Sequence, residues 1–233
     1  MRSEKGRQLH NQSSELLESG DFLGALIKTD EAMIAYQEDS DDAGFSEILA
    51  MKVLIFNMYY DKTEYKGYLY IAKHTALLSL ELAIQSTMPE QIALAHAAVG
   101  RVMDRVGEYQ NAAEHFASAV ELLSENPSEH SKKSVIADFK NHQASSKLLT
   151  GDLSAETDAL SAIEELQISD DATPHEKGVW LSGAYMRLAH GMFKTDKDKA
   201  NQYLNKAEEI INSDPGLSVR KEQVDIMRKR LGL

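Results

Sequence analysis

Apolar residues along the chain recur at helical spacing, and short polar segments interrupt them at regular intervals. One clear stripe lies in the middle of the chain and comprises Ala112, Phe116, Ala119, Leu122 and Leu123. A second stripe near the end comprises Leu204, Ala207, Ile210 and Ile211. Steps of three and four residues place side chains on one face of an α-helix, because the helix has about 3.6 residues per turn. The pattern therefore predicts amphipathic helices rather than strands.

The interruptions themselves repeat along the chain. Gly20-Asp21, Gly107-Glu108 and Gly151-Asp152 are separated by 87 and 44 residues, so the first interval is close to twice the second. Polar segments at 61–63 and 194–198 fall where the same period predicts further turns. A second set of polar breaks alternates with these turns and contains all four prolines. Proline is favourable near the start of a helix and unfavourable inside one, so these breaks are predicted linkers.

The two sets of breaks divide the chain into helix pairs. The predicted pairs span 3–38, 45–87, 90–124, 132–167 and 176–212, and a last helix spans 217–231. That last helix has one apolar seam and many charges, as is typical of the end of a stacked array. Ala and Leu, both strong helix formers, occur 26 times each. We therefore predict one all-α domain over 1–233.

Composition limits the partners and the compartment. A net charge of −12 repels phosphate backbones, so we expect no binding to nucleic acid. The first residues lack the apolar stretch of a secretion signal. The most apolar run, 53–60, is much shorter than the roughly 20 residues of a membrane span. With no cysteine, the chain can form neither disulfides nor thiolate metal sites. These features predict a cytoplasmic protein without a membrane partner.

The third predicted helix pair resembles a tetratricopeptide repeat (TPR). It contains residues 96–103 (HAAVGRVM), then 107–109 (GEY), followed by Ala112, Phe116 and Ala119. This order is similar to the W-x2-L-G-x2-Y and A-x3-F motifs of that family. The period of about 44 residues exceeds the usual 34 and resembles the long-helix repeats of kinesin light chains and bacterial signalling regulators. The resemblance implies a right-handed α-solenoid of about five antiparallel hairpins with a C-terminal capping helix.

TPR proteins bind peptides in a concave groove lined by the first helix of each hairpin. The resemblance places six cationic or polar residues in that groove, namely Arg101, Arg105, Lys140, Asn141, Lys147 and Arg187. Together they resemble a clamp that holds a peptide carboxylate. The alternative is that these long side chains only solvate a helix face.

A second candidate surface lies in the apolar segment 48–60, where ten of thirteen residues are large and apolar. A helix that is apolar all round is buried all round, so we expect neighbouring helices to cover most of this segment. A strip containing Met51, Leu54 and Met58 would then face a peptide, a partner or a second copy of the chain. The last case would produce a homodimer.

Motifs of catalysis and of metal or nucleotide binding are absent from the sequence. None of the eight histidines belongs to an H-E-x-x-H pair, and no glycine-rich phosphate loop occurs. The acidic run 39–44 is followed by Ala50, where a calcium loop requires Glu. We therefore predict no enzyme, no metal and no cofactor. The predicted function is a protein–protein interaction module or scaffold that binds a peptide segment of a partner. The alternative is a regulatory sensor of the bacterial TPR type that changes curvature on peptide binding.

Overall fold

The architecture is all-α, as the periodicity predicts. The computed structural model describes residues 3–128 and 131–233, which are 84% helical and contain no strand. The helices of these residues, in chain order, are α1 Glu4–Glu18, α2 Phe22–Glu38, α3 Asp42–Thr63, α4 Lys66–Ser86, α5 Pro89–Val106, α6 Tyr109–Glu125, α7 Lys133–Thr150, α8 Ala155–Ile168, α9 Pro174–Met192, α10 Lys197–Ser213 and α11 Ser218–Leu231. Each predicted helix pair corresponds to two consecutive helices. Its first residue lies within about three residues of the start of the first helix, and its last residue lies equally close to the end of the second.

The predicted turns coincide with helix ends. Gly107 and Gly151 end α5 and α7 in the left-handed conformation, with φ of +84° and +100°, which glycine adopts without a steric penalty. Asp21 follows the first such turn and accepts a hydrogen bond from the Gly24 amide at 2.9 Å, which caps the start of α2. Pro89 and Pro174 occupy the first turns of α5 and α9, where no amide donor is needed.

Contacts within the chain group it into two compact units, Met1–Glu108 and Tyr109–Leu233. In the first unit α1 packs on α2, α3 packs on α4, and α3 also contacts α5. In the second unit α7 packs on α8, α9 packs on α10, and α7 also contacts α9. Consecutive helices thus pack in pairs, and in each unit helices two apart along the chain also touch. The single domain over 1–233 stays a prediction.

The core of the first unit is built around Tyr36 on α2, which is completely buried. Its ring lies against Gly6 of α1 and Gly44 of α3, and an added Cβ at Gly6 would lie 2.5 Å from the ring. Helix α3 supplies several further large buried side chains of this unit, among them Ile48, Val53 and Ile55. The apolar segment 48–60 is therefore mostly interior.

The core of the second unit runs from α7 to α11 and includes Leu148, Leu188, Leu204 and Val224. Gly191 on α9 allows a close approach to α7, since an added Cβ would lie 2.9 Å from Cβ of Leu148. Within the described ranges, no helix is both long enough and apolar enough to cross a membrane.

Candidate functional site

Helix α7 carries a strip of polar residues on a face that the fold buries. Ser134, Asp138, Asn141 and Ser145 are spaced by four, three and four residues, which places them on one side of the helix. All four are at most 5% exposed. Buried polar groups are costly unless they are paired, so such a strip is unusual in a helix that packs against three neighbours, α6, α8 and α9.

Arg187 of α9 pairs with two members of the strip. Its Nε donates to Oδ1 of Asn141 at 2.9 Å, and its Nη2 donates to Oδ1 of Asp138 at 2.7 Å. Asn141 in turn donates through Nδ2 to the Ala159 carbonyl of α8 at 3.1 Å. The guanidinium group is thus held in one orientation by a carboxylate and an amide, and one-fifth of the Arg187 side chain remains exposed. Hydrogen bonds between charged groups hold the guanidinium group in one orientation and determine where its positive charge lies.

His142 supports the strip from the side of α6. Its ring stacks on Phe116 with the ring centroids 4.6 Å apart, and its Nε2 lies 3.8 Å from Oδ2 of Asp138. The Asp138 carboxylate is therefore placed between an imidazole and a guanidinium group. The hydroxyl oxygen of Ser145 is buried without a hydrogen-bond partner in the described part of the chain. The Ser134 hydroxyl is in the same situation, so two polar atoms of the strip are buried without a partner among the described residues.

Gly183 brings a second arginine close to the first. A Cβ at this position of α9 would lie 3.3 Å from Nη1 of Arg187 and 3.6 Å from both Nη atoms of Arg220 on α11. Arg220 also donates to Oε1 of Gln223 at 2.8 Å. Two guanidinium groups therefore lie over one bare stretch of α9. Like charges this close concentrate positive potential in a chain that is strongly acidic as a whole.

Lys140 and Lys147 lie on a different side of α7, roughly half a turn from Asp138. There they line an open depression of about 290 Å³, to which α6 contributes Val120 and α8 contributes acidic side chains. One of these, Glu165, accepts from Nζ of Lys140 at 2.7 Å. The two lysines and the pair Asn141–Arg187 thus occupy separate places, although the TPR resemblance assigns all four to one groove.

The remaining predicted groove residues lie on α5 in the first unit. Nη2 of Arg105 donates to Oδ2 of Asp61 on α3 at 2.8 Å, and its Nη1 donates to the Arg101 carbonyl at 3.3 Å. Arg105 is therefore used in linking α5 to α3. Arg101 lies one turn earlier on the same helix and is partly buried.

The predicted apolar strip of α3 packs largely inward. Met51, Leu54 and Met58 are all partly buried and contact the cluster formed by Leu17, Phe22, Ala25 and Ile55. The first unit's exposed apolar side chains belong instead mainly to α2 and α4. Only a small part of each of these three side chains is therefore exposed.

The site contains residues that the sequence reasoning missed, namely Asp138, Ser145, Gly183 and Arg220. A signal for the first two exists, because their spacing puts polar residues where an amphipathic helix needs an apolar face. The role of Gly183 and Arg220 depends on how α9 and α11 approach each other, which local sequence does not encode. Among the described residues, no group of three or more His, Asp or Glu side chains is placed to hold a metal ion.

Comparison with known proteins gives a fold but no family. No protein-family model matches the chain, and no curated protein matches its sequence. Among solved structures, the crystal structure of BtubC (BKLC) from P. vanneervenii is similar, with a TM-score of 0.60 and 18% sequence identity. The alignment covers 89% of this chain and 80% of that one. At this identity the likeness concerns the helical fold.

Proposed function

We propose that this chain is a cytoplasmic interaction module that binds a peptide segment of a partner protein, without catalysis and without a cofactor. We propose as its architecture a right-handed α-solenoid of about five TPR-like hairpins capped by α11. The packed helix pairs and the glycine turns after α5 and α7 support this proposal, as does the likeness of fold to BtubC.

The observation that carries the proposed site is the approach of Arg187 and Arg220 over Gly183. Two guanidinium groups this close offer N–H donors and positive charge to the two oxygens of one carboxylate. Asp138 neutralises part of the Arg187 charge and orients the group, and Arg220 adds a second positive charge. The ligand we propose is therefore a peptide with an acidic side chain or a free C-terminal carboxylate.

The polar strip of α7 lies behind this site, because its residues are buried and hold Arg187 in place rather than reach the surface. Asn141 cannot serve directly, because both ends of its amide are used by Arg187 and Ala159. We propose that Asn141 positions Arg187. Lys140 and Lys147 would contact a ligand only if it occupied the separate depression that they line.

The test uses a display library of random peptides with free C-termini, selected against the full chain. We expect the selected peptides to be rich in acidic residues or to depend on their free carboxylate. Arg220→Glu should weaken the binding of a selected peptide about tenfold or more, since it reverses one of two contacting charges. Lys221→Glu is the matched control. It makes the same charge change at the next, exposed position and should alter binding less than about threefold.

If no peptide is selected above background, the proposal is wrong. If Arg220→Glu and Lys221→Glu weaken peptide binding equally, the peptide binds at another site. Small-angle scattering with and without the selected peptide then separates a scaffold from a regulatory sensor. A scaffold keeps its overall dimensions, whereas a sensor that changes curvature does not.

A further inference from the structure

Helix α4 exposes a row of large apolar side chains that its own unit leaves uncovered. Between 42% and 66% of the surface of each remains exposed, and the row consists of Tyr70, Ile71, Leu77, Leu78 and Ile84. The opposite face of the helix is buried through Leu69, Ala72, Ala76 and Ala83. Single exposed apolar residues are ordinary, but a contiguous row along one helix marks an interaction surface.

The row has a regular geometry. Tyr70, Leu77 and Ile84 follow each other at intervals of seven residues and form one edge of the exposed face. Ile71 and Leu78 repeat with the same interval and form the other edge. Between the two edges lie the exposed side chains of His74 and Glu81. The seven-residue interval is the spacing by which one helix packs along another over several turns.

We propose that this face of α4 pairs with the same face of a second copy of the chain, with the two helices antiparallel. A two-fold axis between residues 77 and 78 brings Leu77 and Leu78 of both copies together at the centre. The same operation sets His74 opposite the partner subunit's Glu81. Because the axis is two-fold, this contact occurs twice in the dimer. Near the ends of the face it sets Ile71 opposite the partner subunit's Ile84.

The arrangement of charge favours this occupant over others. An imidazole and a carboxylate lie at equal distances on either side of the proposed axis, so the face is complementary to itself. A membrane surface is a poor match, because anionic lipid head groups repel a chain with a net charge of −12 and, of the two lysines of α4, Lys73 is already paired with Glu108. The contact does not depend on the proposed peptide site, which lies on α9 and α11.

The dimensions of the face predict a weak, reversible dimer. Helix α4 has 21 residues and is about 30 Å long. A strip one helix wide covers only roughly 300 Å², which is less than the roughly 800 Å² per partner of a standard stable interface. We therefore expect association to grow with concentration over the micromolar range.

The experiment is sedimentation velocity of the full chain over a concentration series from about 5 to 500 µM. The parent should shift from monomer towards dimer, and Leu78→Lys should remain a monomer throughout. Ile168→Lys is the matched control, because it places the same charge at an exposed apolar residue of α8 and should leave the shift unchanged. Helical circular dichroism equal to that of the parent shows that each variant is folded.

A charge exchange tests the antiparallel register. His74→Glu and Glu81→Lys should each weaken self-association about fivefold or more, because each replaces an attractive contact by a neutral or repulsive one. An equal mixture of the two variants should regain association. In the mixed dimer the carboxylate introduced at position 74 of one copy faces the ammonium group introduced at position 81 of the other, while the second contact is as in the parent. A parent that stays monomeric, a silent Leu78→Lys, or a mixture without recovery each overturns the proposal.

Discussion

His10 and Tyr36 show how burial changes the chemistry of single residues in the first unit. Nδ1 of His10 lies 3.3 Å from the Tyr36 hydroxyl, and the two rings meet edge to face. Burial lowers the pKa of His10 to about 4, an effect that nearby Glu47 opposes and Arg7 reinforces. Burial also raises the pKa of Tyr36 to about 12. Both side chains are therefore neutral at physiological pH, which suits their position between three helices.

The lowered pKa of His10 predicts a loss of stability in acid. The unfolded chain binds a proton at His10 near pH 6.5, whereas the folded chain does so only near pH 4. The free energy of unfolding should therefore fall as pH decreases from about 6.5 to 4, by up to about 3 kcal/mol from this residue. Urea unfolding of the parent and of His10→Gln at pH 7 and at about pH 4.5 measures the effect. The variant should lose less stability than the parent; equal losses would assign the acid sensitivity to other groups.

At the scale of helices, glycines set how closely elements approach. Gly6 and Gly44 admit the Tyr36 ring between α1 and α3, and Gly191 lets α9 approach α7 at Leu148. The Gly191 contact lies on the same pair of helices as the Arg187–Asn141 hydrogen bond. Close packing of α7 and α9 thus fixes the spacing that allows the polar strip to reach Arg187.

We predict opposite effects for two glycine substitutions in α9. Gly191→Ala should lower the free energy of unfolding by about 1–3 kcal/mol, because the new methyl group meets the Leu148 Cβ and the helices must separate. Gly183→Ala should leave it unchanged or raise it by up to about 1 kcal/mol, because alanine favours the helix and the nearest atom, Nη1 of Arg187 at 3.3 Å, needs to shift only slightly. Urea denaturation compares the two variants. A Gly191→Ala protein as stable as Gly183→Ala would mean that α7 and α9 have more room than their contact indicates.

The sequence predicts individual helices well and their faces less well. Turns after α1, α5 and α7 were predictable, since each contains a glycine in the left-handed conformation beside a capping or acidic residue. The faces of α7 were harder to predict, because Lys140 and Asn141 are neighbours in sequence but point about 100° apart on a helix. Segments 48–60 and 70–84 are both rich in apolar residues. The packing of other helices decides that the first is mostly interior and that one face of the second is exposed.

At the scale of the whole chain, the repeated pattern predicts the all-α architecture, because each turn and linker is encoded locally. Contacts between residues far apart in sequence are not encoded in this way. The ion pair between Arg105 and Asp61, and the pair between Arg187 and Asp138, each join residues more than forty positions apart. Such pairs depend on the rotation of each helix about its axis, so the site could be predicted only in part.

The second unit contains a continuous core of its own, which leads to a prediction about its independence. That core runs through α7, α8, α9, α10 and α11, and all of it lies within Tyr109–Leu233. A segment of this length is typical of domains that fold alone. We expect the fragment 109–233 to show helical circular dichroism and a single cooperative urea transition. Leu204→Ala in the fragment should lower its free energy of unfolding by about 2–5 kcal/mol, because Leu204 is completely buried in that core. A fragment that unfolds gradually, or one in which Leu204→Ala has no effect, would show that this core requires the rest of the chain.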